Sequence, residues 1–361
     1  MRQRITVFLL LPFSCVLLIS GCASGMRPIF EEQRPEIVWP PAPAPARIRY
    51  VGQLSAAADL KPPPKPFQRI GEALVGAASP LPLYGPRSAM FIEQSELLWV
   101  ADPGGRCLHR FDLERRSYAK IERLEESQLL SPVDLCRGPE GSFYVCDSED
   151  VAVHRLSLVD GSLLDRLRLP EEVVRPAALV YDDSAGELLV LDAGAHNIKA
   201  LGPDGALRGT IGRRGTGPGE FNFPCDLVFD GKMLWVADSG NKRVLGLSRA
   251  GAPLVEIGQE GDAPGDLALP KAVAVDSDGH VYVVDARFEN VQVFDRQGRL
   301  LLAFGQEGTG PGEFWLPGGI CIDADDRIWI CDSYNGRVQV FDYVKRSPAS
   351  ASDADSDMRR P

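Results

Sequence analysis

Histidine is scarce, at 4 of 361 residues, and the four stand at different places along the chain, without the spacing of a zinc site. No Gly-x-Ser-x-Gly turn occurs, and the spacing places no cysteine–histidine pair for nucleophilic chemistry. Positive charge is also short. Thirty-nine Lys and Arg face 50 Asp and Glu, a formal net charge of −11, which argues against a surface built for nucleic-acid phosphates. Beyond the N-terminus no run of 18 apolar residues appears, so no internal membrane span is expected. What the chain has in quantity is turn formers, 36 Gly and 29 Pro, below the level of collagen or low-complexity sequence. That much punctuation in a chain long enough for a large core points to an all-β fold of short strands.

The first 21 residues are an address. Arg2 and Arg4 precede an uncharged apolar stretch that ends Ile19-Ser20-Gly21-Cys22, the layout of a secretory signal. The placement of Cys22 resembles the lipobox of bacterial lipoproteins. That resemblance implies cleavage before Cys22, acylation of its thiol and attachment to the membrane through the lipid. Ala23, rather than Asp, follows, which by the same analogy favours the outer membrane of a bacterial envelope. Residues 22–46 include the run WPPAPAPA and no hydrophobic period, so they are expected to be a proline-rich tether.

From residue 86 to 342 one pattern recurs six times. Pro86, Pro132, Pro176, Pro224, Pro270 and Pro317 each open an alternating apolar segment, and Asp102, Asp147, Asp192, Asp238, Asp285 and Asp332 follow about 15 residues later. Within a unit the period is two: residues 270–304 divide into AVAV, HVYVVD, VQVFD and LLLAF, separated by short turns. Four strands of about six residues plus turns need roughly 45 residues, which matches the repeat. Six four-stranded antiparallel units make a six-bladed β-propeller. The units LWVADSGNKRVLGL (234–247) and IWICDSYNGRVQVF (328–341) resemble the NHL repeat, and the first three units are more degenerate.

The sixth unit has only three strands before the Ser-, Ala- and Asp-rich tail of 343–361, expected to be disordered. An incomplete blade would leave an open sheet edge. Residues 47–54, reading RIRYVGQL, share the Gly-Gln ending of the fourth strands, and are assigned as the outer strand that closes blade six. Residues 55–85 then form an insertion. Within it Pro66 and Gly76 bound a short helix whose Phe67, Ile70 and Leu74 make one stripe, expected to dock as a lid on the loop face.

The six repeat aspartates are read as structural, each ending a strand and binding backbone at the turn. The GTGPGEF loops are read as connectors, because strands rather than helices follow them. Asp134 and Asp226 stand two residues after their prolines, on innermost strands beside the central channel, where they could hold a divalent cation. No other cofactor is called for. Arg287, Phe288, Trp315, Tyr334 and His196 fall on turns of the loop face and are the candidate partner-binding residues. Cys136 with Cys146, and Cys321 with Cys331, repeat at the same offsets in blades two and six and are candidate disulfides if they face each other. The function expected is a membrane-anchored, non-enzymatic scaffold whose loop face binds another envelope protein or an oligomer. The alternative, implied by resemblance to other six-bladed propellers, is a lyase or calcium-dependent hydrolase working at the channel.

Overall fold

The computed structural model describes residues 28–30, 34–61 and 82–345. The expected signal, Cys22, the helix expected between Pro66 and Gly76 and the tail beyond 345 lie outside the described residues. The chain is all-β, six blades in a ring. Blade one is built from Ser88–Ile92, Leu97–Asp102, Cys107–Asp112 and Ser117–Ile121, each antiparallel to the next from the axis outward. Blades two to five repeat this order, starting at Pro132, Pro176, Asp226 and Pro270. No helix among the described residues is long and apolar enough to cross a membrane.

Burial follows the layering. The second strands Leu97–Asp102 and Ser142–Asp147 are buried at all six positions, because a neighbouring blade covers each of their faces. They therefore read as nearly continuous apolar runs. Outer strands such as Leu163–Arg168 are mostly exposed. Among the described residues the core divides into six clusters, one at each junction between blades. Trp99 with Phe143 fills the first junction, and Trp329 with Leu98 and Phe111 fills the last. The blades are thus held by sheet-on-sheet packing rather than by one central core.

Ile48–Leu54 is the outer strand of blade six. It pairs with Arg337–Tyr343 from Ile48↔Tyr343 to Leu54↔Val338, so the N-terminal and C-terminal parts of the ring share one sheet. The segment before it departs from the expected tether. Val38–Trp39 adds a fifth strand to blade six through Val38↔Arg49, and the Trp39 ring packs 5.8 Å from Phe304 and 5.9 Å from Phe341. Phe30 meets Trp329 edge-on at 6.3 Å. Proline density does not keep this segment clear of the ring: its aromatic residues find apolar surface, and burial outweighs the spacer character. The insertion leaves and returns at one point: Leu83 donates to the carbonyl of Ser55 at 2.8 Å, and Ala56 bridges to Pro82.

Candidate functional site

The loop face is organised by the six repeat aspartates, all of which are fully buried. Each accepts backbone N–H groups from the residues just before its blade's innermost strand. Asp102 takes Tyr84 and Gly85, Asp147 takes Leu130 and Ser131, and Asp192 takes Val174 and Arg175, at 2.7–3.0 Å. Asp238, Asp285 and Asp332 do the same for Asn222, Ala268 and Trp315. In blades four and six an arginine five residues on completes the cluster. Arg337 donates to Asp332 at 2.7 Å and to the carbonyls of Thr309, Gly310 and Glu313, so it fastens the GTGPGEF connector to its blade. These carboxylates hold the face in shape.

The channel is lined by residues one and two places after each proline. The second of these places carries Ser88, Asp134 and Asp226, and each has the same task. Ser88 Oγ accepts from the N–H of Leu135, Asp134 Oδ2 from Leu179 at 2.7 Å, and Asp226 Oδ2 from Val273 at 2.8 Å. Each side chain thereby satisfies an edge N–H on the next blade's innermost strand. Both aspartates see solvent only within the channel and are walled by protein elsewhere. That burial raises the Asp134 carboxyl well above its usual range, and the charge of Asp226 adds to it; burial likewise raises Asp226, against its hydrogen bonds from Val273 and Leu227 and the charge of Arg87. The bore beside them is about 20 Å³, room for little more than one water.

Above this constriction the channel opens into two adjoining cavities of about 400 and 480 Å³ that share Arg87, Leu269 and Lys271. Arg87 reaches from blade one across the axis, its Nη2 donating to the Cys225 carbonyl of blade four at 3.1 Å. The charged residues of the two linings are Arg87, Arg175 and Lys271; no carboxylate is among them. Arg87 and Lys271 occupy the place immediately after the proline. The repeat register fixes this place in both blades, one residue before that of Asp134 and Asp226.

The rim is apolar. Tyr334 is 66% exposed, Tyr84 62%, Val174 61%, Phe223 49% and Trp315 48%. The Trp315 and Tyr334 rings pack at 5.9 Å, and the Tyr334 N–H donates to the Trp315 carbonyl. Arg287 is exposed and Phe288 half-buried on the blade-five turn, with their N–H groups on Asp285, outside the cavity lining. His196 is a correction. It is buried, its Nδ1 accepts the Phe223 N–H at 2.9 Å, and the Phe223 ring meets it edge-on at 4.6 Å. It props the exposed phenyl ring of Phe223.

The cysteine pairs are a second correction. Cys136 lies opposite Tyr144 and Cys146 opposite Asp134, while Cys321 faces Trp329 and Cys331 faces Gly319. The turn is tighter than assumed: Gly138 donates to Ser142, which shifts the register by two residues. The cysteines become diagonal neighbours, about 7–8 Å apart at Cα and beyond bridging distance. All six cysteines of the described residues are free.

Blade one contains a constellation that the sequence reading did not place. Asp102 pairs with Cys107 in the sheet register, and His109 shares the Cys107 face two residues on. His109 Nε2 is 3.1 Å from Asp102 Oδ2 and 3.2 Å from Cys107 Sγ, and its Nδ1 is 2.7 Å from the Tyr118 hydroxyl. All three residues are fully buried. Burial, reinforced by the Asp102 charge, pushes the Cys107 thiol up to about 12. Asp102 shows the opposite balance. Burial pushes its carboxyl up, but the hydrogen bonds from His109, Tyr84 and Gly105 outweigh it and hold it below the usual carboxylate value. The readable signal was the alternation Cys-x-His directly after a repeat aspartate and its turn.

A six-bladed ring with aspartate-tied hairpins defines the class as a repeat β-propeller. Residues 314–341 match the NHL repeat, and with the six-bladed ring this makes the chain an NHL-repeat β-propeller. No curated protein matches it in sequence. Among solved structures it is similar to a streptogramin B lyase, with 13% identity, TM-score 0.54 and coverage of 73% of this chain and 95% of that one. It is also similar to virginiamycin B lyase from Staphylococcus aureus, with 11% identity, TM-score 0.51 and coverage of 72% and 96%. The WD40 β-propeller domain of Doa1 has 15% identity, TM-score 0.52 and coverage of 72% and 78%. At these identities the likeness is one of fold, and the same fold serves catalysis in some proteins and binding in others.

Proposed function

We propose that this propeller is a recognition module, carried on the bacterial envelope by a lipid at Cys22, whose loop face binds an envelope protein. The observation that carries the reading is the makeup of that face. Exposed aromatic rings surround a funnel whose charged lining is entirely cationic, in a chain of net charge −11. Aromatic and arginine side chains around a concavity dominate binding energetics. Cations focused in a cleft select a segment carrying carboxylate or phosphate. The partner is therefore a protein that inserts an acidic, partly apolar segment into the funnel.

The channel reading, a lyase or a calcium-dependent hydrolase, has less behind it. The Asp134 and Asp226 carboxylates are already committed to backbone N–H groups, and the bore between them holds little more than a water. A photo-crosslinking side chain at Tyr334 should give a discrete protein adduct in the intact host envelope. The same side chain at Leu254, exposed on the outer circumference, should not. Equal adducts from both positions would remove the assignment of the loop face.

A further inference from the structure

We propose that Asp102, Cys107 and His109 form a binding site for one divalent transition-metal ion of the zinc type. The donor set is a carboxylate, a thiol and an imidazole, whose ligand atoms all lie within 4.8 Å of one another. Such a mixed O, S and N set suits zinc and its neighbours. A tetrahedral ion with bonds of about 2.3 Å to sulfur and about 2.0 Å to nitrogen and oxygen sets S···N near about 3.5 Å and N···O near about 3.3 Å. The observed separations are 3.2 and 3.1 Å, within a few tenths of an ångström of these values.

Two further features point the same way. His109 Nε2 can carry one hydrogen, yet both Oδ2 of Asp102 and Sγ of Cys107 crowd it. A cation would satisfy all three atoms at once. The other ring nitrogen is already held by Tyr118 at 2.7 Å, which is how ligating histidines are oriented by an outer partner. Binding would displace the Cys107 proton to solvent, so that a carboxylate and a thiolate would neutralise the ion. Gly105 lies against the site: a Cβ there would stand 3.0 Å from Cys107 Sγ and 3.3 Å from Asp102 Cγ. The Pro103–Gly105 turn is the part of the loop face through which an ion would enter.

The other blades show what the same positions do without a metal. The Cys107 place is taken by Ala152 in blade two and by Arg243 and Arg337 in blades four and six. The His109 place is Gln339 in blade six, whose Nε2 donates to Asp332 at 3.0 Å. Cys107→Ala and His109→Gln are therefore substitutions this architecture already accommodates. His109→Gln also retains a donor to Asp102, which separates ion binding from plain hydrogen bonding. The test is titration of the chelator-treated full chain with cobalt(II), read by thiolate-to-cobalt charge-transfer absorption, together with thermal unfolding with and without zinc. The wild type should saturate at one equivalent and gain stability from zinc. Cys107→Ala and His109→Gln should lose the absorption and the zinc-dependent gain, and Tyr118→Phe should bind about 10-fold more weakly. Absence of the thiolate band in the wild type, its persistence in Cys107→Ala, or undiminished binding by His109→Gln would overturn the site.

Discussion

At the residue scale, the fold depends on buried polar groups that do several jobs each. Arg337 is buried and binds Asp332, Gln53 and three connector carbonyls, so one guanidinium ties the second strand, the closing strand and the blade connector together. Arg337→Ala leaves Asp332 buried without its cation and should cost about 3–5 kcal/mol in a urea titration, the usual penalty for halving a buried ion pair. Arg208→Ala removes an exposed pair with Asp204 and should change stability by less than about 1 kcal/mol. The channel carboxylates give a pH signature of definite sign. Because the native pKa values of Asp134 and Asp226 are raised, the folded state holds more protons than the unfolded chain. Their contribution is fully present below the unfolded carboxyl value of about 4 and is lost as pH rises through the raised native values. Asp226→Asn should flatten that fall, measured as unfolding free energy from pH 4 to 8. A variant that follows the wild-type slope would show that the pair does not titrate in this way.

At the level of the element, the decisive pieces are the closing strand and the strap beyond it. Ile48–Leu54 fills the outer edge of blade six, and Val38–Trp39 then covers part of that strand's own edge. Trp39→Ala removes a half-buried ring from Phe304 and Phe341. It should cost about 2 kcal/mol, less than the 3–5 of a fully buried tryptophan, and lower the melting temperature by about 4–8 °C. The ring, its blade count and its closure were legible in sequence because they rest on spacing: the prolines, the aspartates and the period of two survive even where blades one to three diverge. The strap was not legible, since Trp39 sits in a proline-rich run whose composition does not say what the ring lies against. The hairpin register of Cys136 and Cys146 was not legible either. A five-residue turn at Gly138–Ser142 fixes it, and a shift of two residues leaves the hydrophobic pattern unchanged. In the funnel, Asp134 and Asp226 could be placed from the repeat, but the arginine that crosses the axis could not, because spacing gives Arg87 a position and not a direction.

For the whole molecule, the proposed anchoring and the proposed recognition would make one arrangement: a lipid at Cys22 would hold the ring at a membrane and leave the funnel to meet a partner. Labelling with an alkyne-bearing fatty acid should mark the wild type and leave Cys22→Ser unmarked and released from the membrane fraction; a labelled Cys22→Ser would end the lipid assignment. The funnel's two ingredients should separate in a binding experiment on the crosslinked partner once it is captured from Tyr334. Lys271 lines both cavities, and Lys271→Glu places a carboxylate beside Arg87 where a ligand carboxylate would sit. Because rim and focusing charges act mainly on encounter, this reversal should slow association and remove the sensitivity to salt. Trp315→Ala takes away exposed apolar area and the packing that holds Tyr334, with little change in charge. As an exposed aromatic contact on the rim it should cost about 2 kcal/mol, about 30-fold in affinity, through faster dissociation at unchanged salt dependence. Surface plasmon resonance at two ionic strengths distinguishes the two effects. If Lys271→Glu leaves both affinity and salt dependence as in the wild type, the cationic funnel is not where the partner binds.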